Sequence, residues 1–182
     1  MNKEILNELI KLSLNKEEAA FRKIVEYFQG MVYSFAYRMI CDEDEAKDIT
    51  QETFIRVWLH LPDYDCEKKF STWIYSITSN LCLDRLKSIK RTHEEAYPEQ
   101  LITELISDED IEREMIISEL ANIILTLTDE LTAKQKIVFT LRYLEDLSVK
   151  EIIQVTGMTA EKIKSNLYLA KKTISNKIEK IK

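Results

Sequence analysis

Two groups of side chains in this sequence are spaced for chemistry, and in both that chemistry is binding. Between Tyr64 and Arg91 the aromatics Phe70, Trp73 and Tyr75 stand among Lys68, Lys69, Arg85, Lys87, Lys90 and Arg91. Ring faces beside cations hold single-stranded nucleic acid, the rings by stacking on unpaired bases and the cations by meeting phosphates. The same rings suit a packed core, and for Phe70 and Trp73 the two readings stand level. Nearer the C-terminus, Glu161, Lys164, Ser165, Tyr168, Lys171 and Lys172 occupy one side of a helical repeat whose other side is Ile163, Leu167, Ala170 and Ile174. A polar and basic face on an anchored helix suits duplex DNA. No nucleophile–base or paired-carboxylate constellation is present, so the chain reads as a non-enzyme. His60 and His93 are isolated, and Cys41, Cys66 and Cys82 have no CxxC spacing. Reduced thiols, no metal and no cofactor are expected.

Helices must position these groups. Ala46, Ile49, Thr53, Phe54, Val57, Trp58 and Leu61 recur at three- and four-residue steps and stripe one face. A second face carries Asp48, Gln51, Glu52, Ile55 and Leu59. Its acids either favour a helix N-terminus or, with Gln51 and Ile55, form a partner surface. Pro62 ends this helix. Upstream, Phe21, Ile24, Val25, Phe28, Met31, Val32, Phe35, Ala36 and Met39 form a core-facing stripe. Residues 1–14 fit either a core cover or a mobile arm. Ser148 with Glu151 reads as a capping box, Gly157 as the residue closing that helix, and Thr159 as the next cap. Helix, short glycine turn, helix is a helix-turn-helix pattern. Its second helix, from about Ala160 to Lys172, then directs its N-terminal part at base edges. Glu161, Lys164 and Ser165 meet bases, with Thr159 and Ala160 at the helix start, while Tyr168, Lys171 and Lys172 meet the backbone.

Only two Gly and two Pro in 182 residues, of which 45% are hydrophobic, predict long helices and an all-α fold. The net charge of −6 divides unevenly along the chain. Residues 61–93 carry +2 and 131–182 carry +6, against −3 for 1–60 and −11 for 94–130. Both candidate nucleic-acid segments are therefore basic, and the acidity lies between them. The expected organisation is two helical domains, 1–92 and 118–182, joined by a flexible acidic linker at 93–117. With no apolar run of about 18 residues, membrane insertion is not expected and a cytoplasmic location is.

The run from Asp48 to Trp58, then Phe70-Ser71-Thr72-Trp73-Ile74-Tyr75, then Asn80 to Leu86, resembles region 2 of extracytoplasmic-function (ECF) sigma factors. That family supplies the promoter-recognition subunit of bacterial RNA polymerase. Leu131–Ser148 and Val149–Leu167 resemble its region 4. The resemblance covers about 18–91 and 118–175, and implies a region 2-like helical bundle and a region 4-like helix-turn-helix domain. It implies that Asp48, Gln51, Glu52 and Ile55 bind core RNA polymerase. It also implies that the loop from Pro62 to Lys69 cradles a base flipped from the promoter −10 element. Tyr64 is then a pocket candidate, with Lys68, Lys69, Phe70, Ser71, Thr72, Trp73, Tyr75, Asn80, Asp84, Arg85, Lys87 and Arg91 near the −10 strand. The helix-turn-helix would meet the −35 element. Expected partners are core polymerase, promoter DNA and an anti-sigma factor, often membrane-anchored in that family. Thr132 stands where the family usually has Pro, and Asn166 and Lys171 where it usually has Arg, which puts promoter sequence rather than fold in question. An autonomous helix-turn-helix regulator is the alternative, and an all-α interaction module would leave the basic segments unexplained.

Overall fold

The computed structural model describes residues 1–95, 123–124 and 126–181. Its elements are α1 (Lys3–Leu14), α2 (Glu18–Ile40), α3 (Glu43–His60), α4 (Phe70–Glu95), α5 (Ala133–Phe139), α6 (Val149–Thr156) and α7 (Ala160–Ile181). A 3-10 turn at Leu61–Asp63 and a π-helical turn at Thr140–Leu144 complete them. The fold is all-α, with two helical domains. Helix α4 runs to Glu95, into the segment read from sequence as linker. The remainder of that segment lies outside the described residues. No described helix is long and apolar enough to cross a membrane.

Helix ends follow local chemistry. Asp42 accepts from the Glu45 amide at 2.9 Å, and Glu43, Asp44 and Glu45 fill the first turn of α3, where the helix dipole favours acids. Ser148 and Glu151 form the expected capping box of α6, and Gly157 takes the left-handed conformation (φ 66°) that ends it. Thr132 builds a second capping box with Gln135 at the start of α5, a use of the hydroxyl that a proline there could not reproduce.

Two apolar clusters hold the helices together. Leu9 and Ile10 of α1, Ile24, Phe28 and Val32 of α2, Phe54 and Val57 of α3, and Phe70 and Ile74 of α4 form the first. Residues 1–14 are therefore core cover. The second cluster crosses between the domains: Phe35, Ala36, Met39, Tyr75 and Cys82 pack with Ile137, Val138, Leu141, Ile152, Val155 and Ile163. Helix α6 lies along α4 and shares its core. Each Ile, Val, Leu, Met or Phe among these, fully buried, contributes roughly 1.5–3 kcal/mol, whereas an exposed ion pair contributes about 0–1 kcal/mol. Apolar burial thus holds this seam, and its charged pairs set the register.

The polar part of the seam centres on Glu145. The π-turn ahead of it places a wide, irregular coil where an α-helix would have continued, and Asp146 follows in the left-handed region (φ 52°). Glu145 accepts hydrogen bonds from Arg38 of α2 and from the Tyr75 hydroxyl of α4. Nearby, the buried Lys136 directs Nζ at Cys41 Sγ, 3.1 Å away.

Candidate nucleic-acid interface

Helix α3 buries its apolar stripe and presents the mixed face outward, with Ile55 54% and Leu59 64% exposed. The four residues expected at the polymerase surface straddle a ridge. Gln51 and Ile55 line an apolar groove of about 560 Å³ between α2 and α3, together with Phe21, Val25, Trp58 and Leu59. Asp48 and Glu52 line a charged groove of about 340 Å³ between α3 and α4, with Glu45 and Arg85. Arg56 holds Glu52 at 2.8 Å, and Arg85 is forked onto Glu45. Sequence reasoning placed Leu59 on this face but missed Phe21 and Val25, whose helical stripe looked purely internal.

Pro62 and the 3-10 turn bring Tyr64 back over the start of α4. The Tyr64 ring lies 5.0 Å from both Phe70 and Trp73, and its hydroxyl donates to the Lys68 carbonyl at 2.6 Å. Burial, then the adjacent Cys66 and Asp65, push this phenol up to about 12. Phe70, Thr72 and Tyr75 are buried, Ser71 and Trp73 half-buried. Phe70 and Tyr75 therefore serve the core here and offer no face to a base, which decides part of what the sequence left level. Lys68, Lys69, Asn80, Asp84, Arg85 and Lys87 are exposed. Lys87 pairs with Asp84 at 3.0 Å, Lys68 with Asp65 at 3.7 Å, and Lys69 with Glu151 of α6 at 2.6 Å. Arg91 falls in the last turns of α4.

Helix α7 separates its two faces as the spacing predicts. Ile163 and Ala170 are buried, and Leu167 and Ile174 half-buried. Thr159, Glu161, Lys164, Ser165, Tyr168, Lys171 and Lys172 are exposed, Tyr168 to 68%, and Ala160 half so. Thr159 caps the helix through the Lys162 amide at 3.4 Å. Its own backbone amide first, then the Thr159 hydroxyl, hold the Glu161 carboxyl below its usual range. Lys171 sits 4.9 Å above the ring of Tyr143, a partner that sequence reasoning did not find. Such a contact spans non-neighbouring helices and has no local signal.

Residues 24–92 match the family described as Sigma-70 region 2, and residues 121–174 match Sigma-70, region 4. The ECF RNA polymerase sigma factor SigW of Bacillus subtilis is 29% identical over 181 residues, spanning 96% of this chain and 97% of that one. The chain belongs to the ECF family of RNA polymerase sigma factors. The ECF sigma-E factor of Haemophilus influenzae is 28% identical, over 90% of this chain and 89% of its own length. In fold, this sigma factor is similar to CnrH in complex with the cytosolic domain of CnrY (TM-score 0.71, 16% identity, 96% of this chain and 97% of that one). It is also similar to the sigma factor RpoE bound to the anti-sigma factor NepR from Bartonella quintana (TM-score 0.68, 15% identity, 87% and 96%). The region 2 match takes in most of α2, all of α3 and most of α4, so α1 stands outside it; the region 4 match takes in α6 and the larger part of α7. The chain is a transcription initiation factor.

Proposed function

We propose that this ECF sigma factor docks on core RNA polymerase through Asp48, Gln51, Glu52 and Ile55, holds the melted −10 strand with the segment from Tyr64 to Arg91, and reads the −35 element with α7. The observation that carries this reading is α7 itself. Ile163 and Ala170 of its apolar stripe are buried while Glu161, Lys164, Ser165 and Tyr168 are exposed, the arrangement a recognition helix needs in the major groove. An amine suits guanine and a carboxylate suits cytosine, so Lys164 and Glu161 are assigned to bases, and Lys171 and Lys172 to phosphates. The sigma factor makes and breaks no bond; the polymerase supplies the chemistry, in the cytoplasm. An anti-sigma factor is a further partner, a reading supported by the two fold neighbours, RpoE bound to the anti-sigma factor NepR and CnrH bound to the cytosolic domain of CnrY.

An autonomous regulator is the weaker reading, because matches to both sigma-70 regions occur in order in one chain. Run-off transcription with purified core polymerase tests the proposal. Specific initiation by otherwise promoter-blind core, dependent on this chain, is the expected result. Duplex binding without core and no specific start would return the helix-turn-helix to a regulator.

A further inference from the structure

We propose that Cys41 and Lys136 form an oxidation site, at which a hydroperoxide converts the thiol and the amine to a sulfenamide that ties the two domains together. Lys136 Nζ of α5 lies 3.1 Å from Sγ of Cys41, the residue that ends α2. Lys136 is 7% exposed, and among the described residues its amine meets no carboxylate and no acceptor other than that sulfur. Lysine is rarely buried unless paired, so this amine is committed to the thiol. Cys41 is exposed and takes the left-handed conformation (φ 64°), at a helix end where Gly or Asn is usual. The position thus carries a thiol open to small oxidants on one side and to an amine on the other.

With hydrogen peroxide the chemistry balances in two steps. The thiolate is the attacking form. Its sulfur takes one peroxide oxygen: the S–O bond forms, the O–O bond breaks, and the departing hydroxide takes a proton from the Lys136 ammonium and leaves as water. Cys41 is then a sulfenic acid beside a free amine. The amine lone pair attacks the sulfur; the N–S bond forms, the S–O bond breaks, and the hydroxide leaves with a proton from nitrogen as a second water. Sulfur is oxidised by two electrons and the peroxide reduced by two. Sulfenic acids condense with a neighbouring nitrogen in this way, and 3.1 Å is a near-attack separation. The other thiols do not combine these features. Cys82 is fully buried, and that burial pushes its thiol up to about 12. Cys66 is exposed but has no amine in hydrogen-bond contact among the described residues.

The product joins the end of α2 to α5 beside the seam where Met39 packs with Ile137 and Leu141. On the same seam Glu151 holds Lys69, and Glu145 takes the Tyr75 hydroxyl. A covalent tie removes the separated arrangement that frees Lys69, so oxidation closes the candidate −10 surface. That consequence rests on the reading of Tyr64–Arg91 given above; the cross-link itself does not. A thiol attacking the sulfenamide sulfur releases the amine, and a second thiol restores Cys41, so the closure reverses.

The test is peptide mapping by mass spectrometry of the full chain, reduced, treated with hydrogen peroxide and digested without reductant. The expected product is one peptide pair, joining the Cys41 and Lys136 fragments with the loss of two hydrogens, and separated again by a thiol. Cys41→Ser and Lys136→Arg should abolish it, the second keeping the cation, while Cys66→Ser and Cys82→Ala should retain it. A Cys41 disulfide, or sulfenic and sulfinic acids with Lys136 unmodified, would overturn the proposal on the wild-type chain alone, whatever the variants do to folding. The peroxide is then removed and run-off transcription measured with untreated core polymerase. Oxidised wild type should lose specific initiation and regain it on thiol reduction, and Cys41→Ser should keep its activity through the same treatment. A cross-linked chain that still initiates would overturn the closure and count against the Tyr64–Arg91 reading, with the oxidation site left standing.

Discussion

Lys69 Nζ lies 2.6 Å from Glu151 Oε1, so a cation of the candidate −10 surface is held by the capping box of the helix-turn-helix. Beside it, Tyr75 of the same surface donates to Glu145. A DNA strand that takes Lys69 must displace Glu151, and the two domains then compete with DNA for one side chain. Glu151→Gln keeps the cap, because Gln serves equally in a capping box, while removing the charge. It is expected to raise the population in which the domains separate, read by energy transfer between dyes on α3 and α7. Since a pair this exposed is worth about 0–1 kcal/mol, the shift should be less than about fivefold. No change would place the whole of the seam's stability in its apolar core.

Glu145 should matter more. Its side chain is 10% exposed and takes both Arg38 and Tyr75. Hydrogen bonds to charged groups contribute about 1.5–3 kcal/mol, and Glu145→Ala leaves two donors without their acceptor. The expected loss is about 2 kcal/mol, seen as a lower urea midpoint; Tyr75→Phe, which keeps the ring in the core, should lose about half of that. A Glu145→Ala midpoint equal to wild type would mean that water replaces the carboxylate at no cost.

Acid should weaken the Lys69–Glu151 contact in a defined window. The Lys69 hydrogen bond first, then those from Ser148, lower the Glu151 carboxyl from 4.5 to about 2. A carboxyl depressed in the folded state contributes its full stabilisation above the unfolded value and loses it as the pH falls through the folded one. Stability should therefore decline between pH 4.5 and about 2 with a component that Lys69→Met reduces. Urea unfolding of both proteins at a series of pH values measures it; parallel curves would remove Lys69 as the cause.

On α3, the Asp48→Ala, Glu52→Ala pair should weaken core-polymerase binding by about 1–3 kcal/mol in total. The fold should lose no more than about 0.5 kcal/mol, because the Glu52–Arg56 pair is an exposed helical one. Ile55→Ala, at the lip of the apolar groove, should add to the loss. Fluorescence titration of core with labelled sigma factor gives the affinities, and thermal melts give the stabilities. Reduced stability at unchanged affinity would return the acids to a helix-dipole role.

In α7, Lys164→Ala should relax preference at one −35 base pair at a cost of about 1–3 kcal/mol. Lys171→Ala should weaken all promoters alike and lower the salt slope by about one. It also removes the cation from above Tyr143, a contribution of about 0.5–1 kcal/mol, so its melting temperature needs separate measurement. A −35 mutant series bound by holoenzyme at several salt concentrations separates the two lysines. Uniform weakening by Lys164→Ala would make the helix an electrostatic anchor only.

What the sequence determined by itself was local. Helix stripes, the Ser148–Glu151 cap, the Gly157 turn and the two-sided pattern of α7 are visible because each arises from residues three or four apart, where covalent geometry sets who can meet. The all-α fold follows from the same short-range rules. Tertiary structure decided which polar residues are spoken for. Nothing near Glu145 in sequence points to Arg38 or Tyr75, and nothing near Lys69 points to Glu151. Phe70 and Trp73 are alike in composition and neighbourhood, yet one is buried and the other half-exposed. The four residues of the α3 face look like one surface in a helical projection, but packing by α2 on one flank and α4 on the other divides them between two grooves. Long-range pairing and burial depend on how helices cross, and crossing is set by the volumes and shapes of many side chains at once, which no local spacing encodes.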